Sequence, residues 1–174
     1  QEVKQGKVLD VGCAYGFMLQ KFPDRFEKFG IDISEYAIAE AKKRLPNATL
    51  KVGGAEDRLP FPENFFDVVI CNDVIEHLEN PRAALENIRK VLKQDGILHI
   101  NTPNFNWLRK KVFAYADKKE HHISLFPHKT LFDLLTKVGF KIIDRWTYTN
   151  ITFFFFIKFC SNLGHESAFI CRKL

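Results

Sequence analysis

The chain has 174 residues, 46% of them hydrophobic and 27% charged, with a formal net charge of +5 and a pI near 9.0. That length supports one domain with a substantial core, and the composition excludes a disordered or fibrous chain. The mildly basic balance favours anionic ligands, but the charges are not gathered into the long run that would point to nucleic acid.

Apolar runs alternate with segments of helical period along the chain. Lys7 to Val11 reads as a short buried strand, and Gly16 to Phe22 as the helix after it. A second strand is expected over Lys28 to Ile33. Ser34 can then cap a helix through Arg44 that buries Ile38, Ala41 and Leu45 and stops before Pro46. Thr49 to Val52 is a third strand, and Phe66 to Cys71 a fourth, apolar enough to be covered on both faces. In "NPRAALENIRKVLKQDG", Asn80 can cap and Pro81 suits the first turn. Leu85, Ile88 and Leu92 share a face, and Gly96 is expected to close the helix. "ILHIN" is a fifth strand. A helix follows from about Pro127 to Val138, ending at Gly139, with further strands at Lys141 to Thr147 and Ser167 to Arg172. "TFFFFIKF", Thr152 to Phe159, suits a buried strand or a contact in a homodimer better than a membrane anchor.

Strands alternating with helices imply a mostly parallel sheet covered on both faces, with ligands bound beyond the carboxyl ends of its strands. There is no apolar run long enough to span a bilayer and no signal peptide, so a cytoplasmic location is expected. The four cysteines, Cys13, Cys71, Cys160 and Cys171, form no metal-ligand spacing and read as free thiols. No metal is expected. The chain opens at Gln1 and enters its first strand almost at once, so an N-terminal flank is expected to be missing.

The chemistry starts at Asp10-Val11-Gly12-Cys13-Ala14-Tyr15-Gly16. Small residues at alternate positions let backbone turn sharply and lie against a ligand. The dinucleotide fingerprint fails at Ala14 and Phe17, and no GK[ST] follows for a phosphate loop. Asp10 is an anion ending an apolar strand, which suits a ligand with a positive group. Asp32, 20 residues beyond Gly12, stands where a carboxylate can accept from both hydroxyls of a ribose. Together these residues describe a nucleoside-bearing, cationic ligand without a required pyrophosphate.

With "VLDVGCAYG", "GIDIS", "GGAEDRLPFPENFFDVVICNDVIEHLENPRAAL" and "GILHINTPN" in this order, the chain resembles class I S-adenosylmethionine-dependent methyltransferases. It is most similar to the small-molecule branch that includes the ubiquinone-biosynthesis type. The resemblance covers about Val8 to Asn104, with a looser echo in "HHISLFPHKTLFDLLTKVGF". It implies a Rossmann-like, doubly wound, mostly parallel seven-stranded α/β sheet with helices on both faces and the last strand antiparallel. The whole chain would be one methyltransferase domain with an acceptor-binding insertion at 105–126. S-adenosylmethionine would be the cofactor and S-adenosylhomocysteine the product.

Carried over by residue, the resemblance assigns Asp10, Gly12, Ala14 and Gly16 to the methionine end of the cofactor. Asp32 would hold the ribose and Ile33 pack on adenine. Gly54, Ala55 and Glu56 would border the adenine, and Asn72 lie on the sulfonium side. Relatives often read "GDAE" where this chain has Gly53-Gly54-Ala55-Glu56, so a carboxylate toward the adenine amino group must come from Glu56 or Asp57, or backbone must suffice.

For a general base, His77 in "NDVIEHL" and His122 are the candidates, with His121 beside it. The alternative for Glu76-His77 is a purely loop-shaping role. Arg109 to His122 is net positive and reads either as a solvated face or as a lid for an anionic acceptor. The expected partner is a small-molecule acceptor. Three rival readings stand: methylation of RNA or protein, a dinucleotide oxidoreductase, and a catalytically silent binding module.

Overall fold

The computed structural model describes residues 3–106, 123–152, 155–159, 164 and 166–174. His121, His122, Cys160 and most of the expected insertion at 105–126 lie outside them.

Eight strands form one sheet: β1 (Gly6–Val11), β2 (Phe26–Asp32), β3 (Thr49–Val52), β4 (Phe66–Asn72), β5 (Leu92–Pro103), β6 (Phe140–Thr152), β7 (Phe155–Phe159) and β8 (Glu166–Lys173). Their order is β3-β2-β1-β4-β5-β8-β6-β7. The first five pair in parallel, while β8 runs antiparallel to both β5 and β6. This is the expected Rossmann-like, doubly wound architecture with its antiparallel last strand. The additional strand is β7, drawn from "TFFFFIKF", which pairs antiparallel with β6 at the sheet edge. The chain steps outward from β1 to β3, then returns to the other side of β1 with β4. The gap between β1 and β4 is therefore the switch point where such sheets open a crevice.

Helices α1 (Phe17–Gln20), α2 (Glu35–Arg44), α3 (Pro81–Val91) and α4 (His128–Val138) cover the sheet. On one face, Leu19, Ile38, Ala41 and Leu45 pack on Val8, Leu50 and Ile70. On the other, Leu85, Ile88, Leu131 and Leu135 pack on Leu9, Val69, Cys71, Leu98 and Phe169. Alternate residues of β4 thus enter opposite cores, as its uniformly apolar sequence requires. Caps fall where local chemistry predicts: Ser34 Oγ accepts from Ala37 N–H, and Asn80 Oδ1 from Ala83 N–H. Helix α4 begins after Pro127, and its first N–H, on His128, donates to Asn104 Oδ1 at the end of β5.

Two helix boundaries differ from the sequence reading. Helix α1 stops at Gln20, because Pro23 keeps the preceding turn from continuing as helix. Helix α3 stops at Val91 and does not reach Gly96. Leu92 turns to extended backbone and pairs with Phe66, burying its side chain completely in the core. The left-handed residue of the following turn is Asp95, at φ 61°, and not the glycine after it.

Candidate cofactor site

The loop after β1 adopts left-handed backbone at every second residue: Gly12 (φ 75°), Ala14 (φ 43°) and Gly16 (φ 78°). Gly12 has no room for anything larger, since a Cβ there would stand 2.2 Å from Val74 Cγ2. Ala14 carries a methyl group in a conformation that costs an L-residue roughly 1–2 kcal/mol. The loop is tied down from two sides. Gly12 and Cys13 N–H donate to Ile31 O at 2.8 and 3.1 Å, and Arg44 Nη1 donates to Tyr15 O at 2.6 Å.

Asp32 fixes the loop to the end of β2. Its Oδ2 accepts from Ala14 N–H at 2.8 Å and its Oδ1 from Ser34 N–H at 2.9 Å. Each carboxylate oxygen has a second lone pair, so both remain able to accept from a ligand. Asp10, beside it at the end of β1, is only 4% exposed. Burial, with the charge of Asp32 adding to it, raises its pKa to about 7. A desolvated carboxylate next to another anion is a setting that a cationic ligand relieves. Beyond β2, Ile33 presents its side chain to solvent at 78% exposure, an apolar surface at the rim of the crevice.

The segment after β3 is held by α3. Asn87 Nδ2 donates to the carbonyls of Ala55, Glu56 and Asp57 at 3.3, 2.9 and 2.8 Å. Glu56 Oε1 accepts from Asn80 N–H, so this carboxylate ties the loop to the helix. Asp57 is the acidic residue on the Ile33 side. A Cβ built on Gly54 would lie 3.2 Å from Asp57 Oδ2 and 3.8 Å from Ile33 Cγ2.

At the end of β4, Asn72 Oδ1 meets His99 Nδ1 at 3.1 Å. Asn101, two residues along β5, donates from Nδ2 to Asp73 Oδ1 at 3.3 Å and accepts at Oδ1 from Tyr148 Oη at 3.0 Å. Asn72, His99, Asn101 and Tyr148 border a cavity of about 520 Å³ beside α1. His77 does not line it. That histidine is exposed, on the 3-10 turn Ile75–His77, while its neighbour Glu76 is buried. Glu76 Oε2 accepts from Thr102 Oγ1 at 2.9 Å, and its carbonyl accepts from Ile123 and Ser124 N–H at 2.9 and 2.8 Å. Glu76 is thus a structural anchor, and His99 is the histidine that the sequence reading passed over. Cys13, Cys71 and Cys171 are free and buried, their thiols pushed above the ordinary range by desolvation. Among the described residues no cluster of His, Cys, Asp and Glu could hold a metal, and no helix is long and apolar enough to cross a membrane.

A doubly wound sheet with carboxylates ending its first two strands defines a nucleoside-binding α/β domain. A family model described as a methyltransferase domain matches residues 9–100. The ubiquinone biosynthesis O-methyltransferase of Azoarcus sp. (strain BH72) is 33% identical over 129 residues, covering 71% of this chain and 54% of that protein. A probable S-adenosylmethionine-dependent methyltransferase of Mycolicibacterium smegmatis is 31% identical over 98 residues, covering 56% of this chain and 38% of that protein. The chain therefore spans about half, or less, of the length of these relatives. Among solved structures, an S-adenosylmethionine-dependent methyltransferase from Thermotoga maritima shares the fold with a TM-score of 0.80 at 20% identity, covering 99% of this chain and 84% of that one. The chain belongs to the methyltransferase-domain family, whose cofactor is S-adenosylmethionine and whose product from it is S-adenosylhomocysteine.

Proposed function

We propose that the protein transfers a methyl group from S-adenosylmethionine to a small anionic metabolite, at oxygen, nitrogen or carbon. The observation that carries this is the pair Asp10 and Asp32, a buried carboxylate with its pKa raised to about 7 beside a second one already fixed by backbone N–H groups. Their chemistry fits the cofactor: Asp10 faces its cationic amino-acid end, and Asp32 accepts from the ribose hydroxyls. Gly12, Ala14 and Gly16 leave backbone clear along the methionine portion. Ile33 covers the adenine, and Gly54 and Ala55 border it. Asp57, on the Ile33 side of Gly54, replaces Glu56 as the acceptor for the adenine amino group. Asn72 lies on the sulfonium side.

The bound cofactor supplies an already activated methyl group, so the protein's work is alignment and exclusion of water. The loop performs the alignment through the Ala14–Asp32 hydrogen bond. The name of the Azoarcus relative, an O-methyltransferase of ubiquinone biosynthesis, supports a small-molecule acceptor here. Titration calorimetry with S-adenosylhomocysteine tests the reading. Saturable binding that is weakened in Asp32→Ala supports it, and no binding at millimolar ligand overturns it.

A further inference from the structure

We propose that Asn87 is a positioning residue for the base of the cofactor. By holding the segment after β3 against α3, it turns that segment's other side to the base and sets the preference for adenine over hypoxanthine. The proposal rests on the methyl-transfer reading above.

Asn87 stands on α3, and its Nδ2 is shared among the carbonyls of three successive residues, Ala55, Glu56 and Asp57, at 3.3, 2.9 and 2.8 Å. Carbonyls only accept, so the nitrogen of the amide, and not its oxygen, must face them. In a trans peptide the N–H points opposite to the C=O of the same plane. With these carbonyls turned to α3, the N–H groups of Glu56, Asp57 and Arg58 are turned away from it. Among the described residues none of the three donates to another group of the protein. The side of the segment away from α3 thus presents a run of backbone donors.

The same helix decides which carboxylate is left for a ligand. Asn80, about two helical turns before Asn87, donates from its N–H to Glu56 Oε1 and so engages that carboxylate. Asp57 stays exposed, and Gly54 brings it to the rim: a Cβ there would stand 3.2 Å from Asp57 Oδ2 and 3.8 Å from Ile33 Cγ2. Adenine offers a donor, its amino group, beside an acceptor, the ring nitrogen N1. A carboxylate next to backbone N–H groups is the complement of that edge. Hypoxanthine presents the reverse, an acceptor oxygen beside a ring N–H, and would leave both partners mismatched. The segment belongs to no helix or strand and has no regular backbone pairing to orient it. Helix α3, packed into the core through Leu85 and Ile88, supplies the rigid frame.

Two measurements test this. Calorimetric titrations compare S-adenosylhomocysteine with S-inosylhomocysteine, which differ in the base alone. The parent is expected to prefer the adenine compound by about 10- to 100-fold. Asn87→Leu, which keeps the bulk without the donor, is expected to bind S-adenosylhomocysteine more weakly and to lose that preference. An equal loss of affinity for both compounds, with the preference intact, would make Asn87 a structural residue and overturn the proposal. The second measurement needs no substitution, and it decides the matter if Asn87→Leu does not fold. In backbone-assigned NMR spectra of the parent, saturation with S-adenosylhomocysteine is expected to move the amide proton of Glu56, Asp57 or Arg58 downfield, and S-inosylhomocysteine is not. Absence of that shift overturns the proposal. A parent that binds both compounds equally overturns the proposal and leaves the methyl-transfer reading standing. A parent that binds neither at millimolar concentration overturns that reading, and the proposal with it.

Discussion

Ala14 N–H donates to Asp32 Oδ2 at 2.8 Å, across the gap between the loop after β1 and the end of β2. This bond joins the one non-glycine residue of the loop's three left-handed positions to the carboxylate proposed to hold the ribose. The loop and the ribose site are therefore a single unit, set before a ligand arrives. A change at either residue is felt at both.

Ala14 is the loop's strained point. Replacing it with glycine removes a left-handed penalty of about 1 kcal/mol, partly offset by the greater freedom of glycine in the unfolded chain. Ala14→Gly is expected to melt at the same temperature as the parent or slightly higher. Ala14→Val, which forces a β-branched side chain into the same backbone, is expected to melt lower and to weaken S-adenosylhomocysteine binding. Thermal denaturation with and without ligand checks both.

Asp10 makes a pH signature. Its pKa in the fold, about 7, lies well above the ordinary carboxylate range. The folded state therefore binds a proton that the unfolded chain releases. That contribution to stability is fully present below about pH 4 and is lost as pH rises through about 7. A cationic ligand works against this, because it favours the ionised carboxylate. Cofactor affinity is expected to rise from about pH 6 to about pH 8, and Asp10→Asn is expected to flatten that rise and to bind more weakly throughout. Calorimetric titrations across the range provide the measurement.

Glu76 belongs to the fold more than to the reaction. Glu76→Ala strips a buried partner from Thr102 and is expected to cost about 1–3 kcal/mol of stability, read from urea denaturation. His77→Ala, at an exposed position on the same turn, is expected to leave methyl transfer near the parent rate. A loss of transfer with cofactor affinity intact would return His77 to the role of base.

The contrast between these residues explains what was legible in the chain. Asp10, Gly12 and Asp32 could be found because each breaks its local pattern: a charge ending an apolar strand, or a glycine at a forced turn. The strand–helix alternation gave the layers for the same reason, since period alone separates β4 from α3. His99 could not be found that way. In "ILHIN" it is one polar residue of a strand, and only the parallel pairing of β4 with β5 brings it to Asn72, 27 residues away. The roles of Glu56 and Asp57 were likewise open, because a hydrogen bond from Asn80 decides which carboxylate turns toward α3. Leu92 ended α3 early through a gain in burial that helical spacing does not register.

The most direct test of the account is a calorimetric titration of S-adenosylhomocysteine into the parent protein and Asp32→Ala. Saturable binding by the parent is expected, weakened about 10- to 100-fold by the substitution, as charge-assisted hydrogen bonds of about 1.5–3 kcal/mol are lost. Binding by Asp32→Ala as tight as the parent's, or no binding by the parent at millimolar ligand, would contradict it.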